Sequence, residues 1–204
     1  MDLLVLAADR DIEHAVKGLL HRQQALGVEV ESWRILVHPE HDPGCANKAA
    51  EFMRAFSRQY RHGLVILDHE GSGTRLDPAD LESKIEYDLT GAGWEDRARA
   101  IVIAPELENW VWSDSPHVAE TLGWTVGMHD LRQRLQGEGY WPGGAVKPGR
   151  PKEAMRYALR HAVPPKRWSA ALFQSLAEQV SVKNCEDAAF QRLLATLREW
   201  FPQD

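Results

Sequence analysis

The chain is poor in cysteine, has more acid than base, and contains no long apolar run. Two cysteines in 204 residues, Cys45 and Cys185, cannot build a disulfide framework. They point instead to two buried free thiols in a reducing, cytoplasmic setting. No apolar stretch approaches the ~18–20 residues that cross a bilayer, so no membrane partner is expected. The opening MDLLVLAADRD is too short and too acidic for a secretory signal. Internal repeats and low-complexity segments are lacking. So are a Gly-x-Ser-x-Gly elbow, a dinucleotide fingerprint and a phosphate loop; GSGT at 71–74 lacks the Gly-Lys-Ser/Thr ending. Lys and Arg number 24 against 30 Asp and Glu, a net charge of −6. That balance excludes a protein that coats nucleic acid by bulk charge.

What is present describes a globular α/β chain. Hydrophobic residues make up 44 % and charged residues 26 %, enough apolar content to bury one sizeable core at this length. Short apolar runs at 3–8, 28–37, 64–67 and 100–104 read as strands, and the continuous ones as strands buried on both faces. Between them lie segments of helical spacing at 12–26, 46–60 and 78–89, the last with Asp77 placed to cap it and Pro78 in its first turn. Alternation of this kind predicts a mostly parallel four-stranded sheet flanked by helices over residues 1–112. Residues 113–204 carry helix signals near 115–122, 128–136, 151–161, 168–179 and 187–200. They read as a helical cap packed on the same domain.

Three of the strands end in acids: Asp9 and Asp11, then Asp68 and Glu70, then Glu106 and Glu108. In parallel sheets the crevice beyond the carboxyl ends of the strands is where ligands bind. Carboxylates converging there need compensating charge, and Mg²⁺ or Mn²⁺ with oxygen ligands is a natural partner for phosphodiester chemistry. Acids in these places also cap helices, which is the structural reading of Asp9 and Asp11. The HPEHDPGC segment at 38–45 mixes His, Glu, Asp and Cys without the spacing of a structural zinc site. It reads as a polar loop after the second strand, or, functionally, as a loop over the acidic edge with His38 or His41 touching substrate or metal.

Charge is unevenly spread. Residues 1–146 carry a net −10, whereas residues 147–169 carry +6. Lys147, Arg150, Lys152, Arg156 and Arg160 form a basic stripe, either a solvated helix face or a grip on the phosphates of DNA or RNA. Tyr140 and Trp141 just before it could stack on bases or pin the loop to the core. Trp110, Trp112, Trp124, Trp200 and Phe201 read as core, with Trp110 anchoring the turn that carries Glu106 and Glu108.

LVILDHEGSG, IAPELENWVWSD and the closing VSVKNCEDAAFQRLLATLREW resemble motifs of TOPRIM-like proteins from bacterial defence and mobile-element loci. These include a small family of unknown function allied to nucleases of the overcoming-lysogenization-defect type. The resemblance implies a TOPRIM-like, Rossmann-like fold and a Mg²⁺- or Mn²⁺-dependent nuclease or phosphoryl-transfer component of an anti-phage system. Asp68, Glu70 and Glu106 would then hold the metal, and Glu108 would orient a water. The family's Glu-Gly after the first strand is replaced by Ala7-Ala8, so Asp9 or Asp11 (or Glu13) would stand in for the missing acid. The same departure implies an alternative: a non-catalytic scaffold or interaction subunit working with other defence proteins. A small-molecule phosphohydrolase is a third reading.

Overall fold

The computed structural model describes residues 1–180 and 185–203. Residues 181–184, within the closing motif, lie outside the described residues. Four parallel strands form one sheet in the order β2-β1-β3-β4: β1 (Leu3–Ala7), β2 (Trp33–Val37), β3 (His62–Asp68) and β4 (Ala98–Ile103). The two central strands carry the most continuous apolar runs, and every residue of β1 is buried. The α/β reading and its four parallel strands therefore hold.

Helices flank the sheet. α1 (Arg10–Leu20) packs on β1 and β2, α3 (His41–Met53) on β1 and β3, and α4 (Pro78–Leu89) on β4. A single turn, α2 (Gln23–Leu26), follows α1. The second half is helical: α5 (Glu108–Val111), α6 (Pro116–Leu122), α7 (Met128–Gly137), α8 (Pro151–His161), α9 (Ala170–Gln179) and α10 (Ala188–Trp200). α9 lies along α1 and α10 along β4. One contiguous hydrophobic core runs from Leu3 to Phe201, so the helical half shares the core of the sheet. Among the described residues no helix is long and apolar enough to cross a membrane.

Several boundaries differ from the sequence reading, and the helix expected over 46–60 ends at Met53. The helix expected over 12–26 stops at Leu20, and Gly27 in the left-handed region closes the extra turn behind it. The strand expected over 28–37 keeps only its second half. Val28 bridges to Pro202, and the Gln23 side chain binds both backbone groups of Val30. The helix expected from Ala46 begins at His41, because Pro43 sits in its first turn where the missing N–H costs nothing. Of the two thiols, Cys45 is buried and Cys185 only half-buried.

The two sheet edges are finished differently. Ala100 and Val102 of β4 point their N–H groups outward, where Glu86 Oε1 and Glu82 Oε1 accept them at 2.9 and 3.0 Å. Arg192 of α10 donates to Ala100 O at 3.2 Å and pairs with both glutamates. These side chains take the place of a fifth strand. Glu82→Ala leaves a buried N–H without an acceptor, at a cost of about 1–3 kcal/mol and about 2–4 °C in Tm for each. Calorimetry should show that loss, with Glu82→Gln recovering part of it; an unchanged Tm in the alanine variant would refute the bond's role.

Candidate functional site: a carboxylate edge closed by a lysine

The acids do gather at the carboxyl end of the sheet, but a lysine occupies their midst. Lys152, in the first turn of α8, places its Nζ 3.3 Å from Glu106 Oε2 and 3.9 Å from Glu108 Oε1. Its backbone N–H also donates to Glu106 Oε1 at 3.1 Å. Glu106 and Glu108 are 6 % and 2 % exposed, so the ammonium is their counter-charge in place of water. Burial works against the charge on Lys152. Glu108, Glu106 and Asp68 outweigh it and hold the lysine above its ordinary pKa.

The other acids are tied into backbone and side-chain donors. Asp9 caps α1 by accepting Ile12 N–H at 2.8 Å. Two residues on, Asp11 accepts the Trp168 indole N–H at 2.7 Å, fastening the segment before α9 to α1. Asp42, in the first turn of α3, accepts Asp68 N–H at 2.8 Å. Asp68 in turn accepts Leu107 N–H at 2.9 Å. The loop after β3 closes over Asp42 through Gly71, where a Cβ would collide with the Asp42 carboxylate. Gly71 therefore serves a close approach, while Gly73 takes a left-handed turn at φ 72°.

Burial sets the titration of this network. It raises the Asp68 carboxyl well above its usual range, and Asp42, Glu108 and Asp9 add like-charge repulsion. Asp42 and Asp11 are raised for the same first reason, with the N–H bonds they accept acting the other way. Burial pushes Glu108 from 4.5 up to about 7, against the pull of Lys152. Glu108 Oε2 is buried without a hydrogen-bond partner among the described residues.

Several expectations are overturned here. Among the described residues, no three His, Cys, Asp or Glu side chains are placed to hold one metal ion, so the Mg²⁺ or Mn²⁺ site read from the sequence does not form. The donor set works against a cation there, since both Glu106 oxygens and Glu108 Oε1 face Lys152 and Asp68 Oδ1 accepts Leu107 N–H. Glu70 is exposed and apart from the cluster, its N–H turned back to Pro105 O. Glu106 and Glu108 share a focus without an extended segment between them, because Glu108 opens the helical turn α5. His38 is buried and accepts Glu40 N–H through Nδ1, while His41 Nδ1 donates to Ala8 O. The HPEHDPG segment thus leads into a helix from His41 rather than forming the polar loop expected.

The basic stripe divides as well. Lys147 donates to Asn109 O at 2.6 Å and Lys152 is turned into the acids, so neither belongs to an outward face. Arg150 lies over the Tyr140 ring, 5.7 Å from its centroid. Only Arg156 and Arg160 share an exposed face of α8. They border a hollow of about 420 Å³ with Lys166, Tyr140 and Trp168. Trp141 is 1 % exposed and donates to Ala145 O, which removes it as a stacking platform. Trp110 does anchor its turn, donating to Asp187 Oδ1 at 2.9 Å.

Asp42 and Trp168 join the site beside the acids expected there, and Lys152 of the basic stripe is turned toward Glu106 and Glu108. A signal for Lys152 existed: a cation in the first turn of a helix opposes the macrodipole and needs nearby acid. No family model matches the chain, and neither does any curated protein or solved structure.

The raised Glu108 carboxyl gives a pH-dependent stability. Between 4.5 and about 7 the folded chain keeps a proton at Glu108 that the unfolded chain has released. That contribution is complete below the lower value and lost as pH rises through the upper one. Glu108→Gln removes it. The variant's Tm relative to wild type should therefore rise from about pH 5 to about pH 8. A difference that is flat across this window contradicts the assignment.

Proposed function

We propose that the chain is a non-catalytic TOPRIM-like interaction subunit of a multi-protein bacterial defence assembly. The observation that carries this reading is the Lys152 ammonium seated between Glu106 and Glu108, at the edge where an enzyme of that architecture would need open carboxylates. Ala7-Ala8 in place of the resembled Glu-Gly supports the same reading, since both residues are buried and bring no acid. Asp9, Asp11 and Asp68 support it too, each being engaged in holding helices or loops together. The defence setting comes from the motif resemblance alone.

The reading is tested by single-turnover incubation of end-labelled DNA and RNA with excess protein and Mg²⁺ or Mn²⁺. No strand scission above the protein-free control is expected. Scission that disappears in Asp68→Asn would overturn the proposal.

A second reading, contact with nucleic acid by the helical cap, is favoured by a separate observation. Arg156, Arg160 and Lys166 border one hollow with Glu153, and Arg156 lies over the Trp168 ring 5.9 Å from its centroid, so cations outnumber acids three to one at a place suited to phosphates. Fluorescence anisotropy with a single-stranded oligonucleotide should show salt-dependent binding. Arg156→Ala with Arg160→Ala should weaken it and flatten its log–log salt slope by about 0.7 per lost phosphate contact. Equal affinity in the double variant would remove this role.

A further inference from the structure

β2 is the one sheet edge that no side chain finishes among the described residues. Its ladder to β1 runs through Arg34 and Leu36, with Leu3 N–H donating to Ser32 O below them and His38 N–H to Ala7 O above. Trp33, Ile35 and Val37 therefore turn their N–H and C=O groups outward. No hydrogen bond reaches those groups from any other described residue. All three side chains are only half-buried, in contrast to the fully buried β1. The devices that usually blunt such an edge are few. WRILV holds no proline and one charged residue, and its ladder has no bulge.

We propose that β2 is a self-association surface, on which a second copy of this chain adds its own β2 in antiparallel fashion about a twofold axis at Ile35. The strand is complementary to itself in that register. Ile35 meets Ile35 of the other copy and Trp33 meets Val37, so every outward N–H finds an outward C=O. Arg34 falls opposite Leu36 and Ser32 opposite His38, so no like charges oppose each other directly. The half-buried apolar side chains at 33, 35 and 37 lie on one face and cover their counterparts. The opposite edge explains why association closes at two: β4 is sealed by Glu82, Glu86 and Arg192 and offers no ladder to a third copy. This surface is independent of the non-catalytic reading of the carboxylate edge.

Sedimentation velocity of the full chain across the micromolar range tests the proposal. Wild type is expected to show a reversible monomer–dimer equilibrium. Ile35→Pro removes an N–H that serves only the partner and leaves the β1 ladder intact. It should weaken the dimer about ten- to a hundredfold, whereas Ile35→Ala keeps the N–H and weakens it less. A second variant guards against misfolding in the first. Arg34→Cys with Leu36→Cys places two thiols at a non-hydrogen-bonded antiparallel pair, a separation a disulfide spans. Mild oxidation should then yield an inter-chain 34–36 cross-link, identified by peptide mass spectrometry. A wild type that stays monomeric, a dimer unmoved by a folded Ile35→Pro, or no such cross-link would each overturn the proposal. A monomer that binds an extended peptide at β2 would assign the edge to a different partner and reject self-association.

Discussion

An ammonium group held between two buried glutamates governs the carboxyl end of this sheet. Carboxyl groups at 6 % and 2 % exposure need either a counter-ion for the charged form or a proton that removes the charge. Lys152 supplies the first and the raised Glu108 carboxyl the second. Truncating one partner of a fully buried ion pair costs about 3–5 kcal/mol. The Lys152 side chain is 34 % exposed, which places this pair below that range and still well above a surface one.

The consequence is architectural. Lys152 belongs to α8 and Trp168 precedes α9, whereas Glu106 and Asp11 belong to the sheet half of the chain. The acids therefore fasten the helical half over the crevice in which a parallel sheet ordinarily binds its ligand. Asp42, Asp68 and Leu107 extend the fastening sideways by linking α3, β3 and the turn before α5. What looks in sequence like an apparatus for cations is, in three dimensions, a set of acceptors for N–H groups and one internal cation.

Much of the fold was legible because it follows from local periodicity. Continuous apolar runs gave the strands and their parallel arrangement, and Asp77-Pro78 marked the start of α4. HPEHDPG misled because its composition is that of a loop, although Pro43 is well placed in a first helical turn. The convergence of Asp9, Asp11, Asp68, Glu106 and Glu108 was also legible, since strand ends of a parallel sheet share one edge. What fills that edge was not. Lys152 lies 46 residues from Glu106, and a contact at that separation leaves no mark on periodicity or spacing. Glu70 failed for a related reason: one residue past Asp68–His69 the chain turns back to Pro105, and only the tertiary path shows that.

The same contrast between finished and unfinished groups runs through the molecule. β4 is sealed by glutamates and an arginine, the carboxylate edge is sealed by a lysine, and β2 is left open. The central claim concerns the second of these, and diffraction tests it most directly. Crystals soaked in Mn²⁺ and measured at the manganese absorption edge should show no anomalous peak between Asp68, Glu106 and Glu108, with Lys152 in place. A peak there, with Lys152 displaced, would contradict the account.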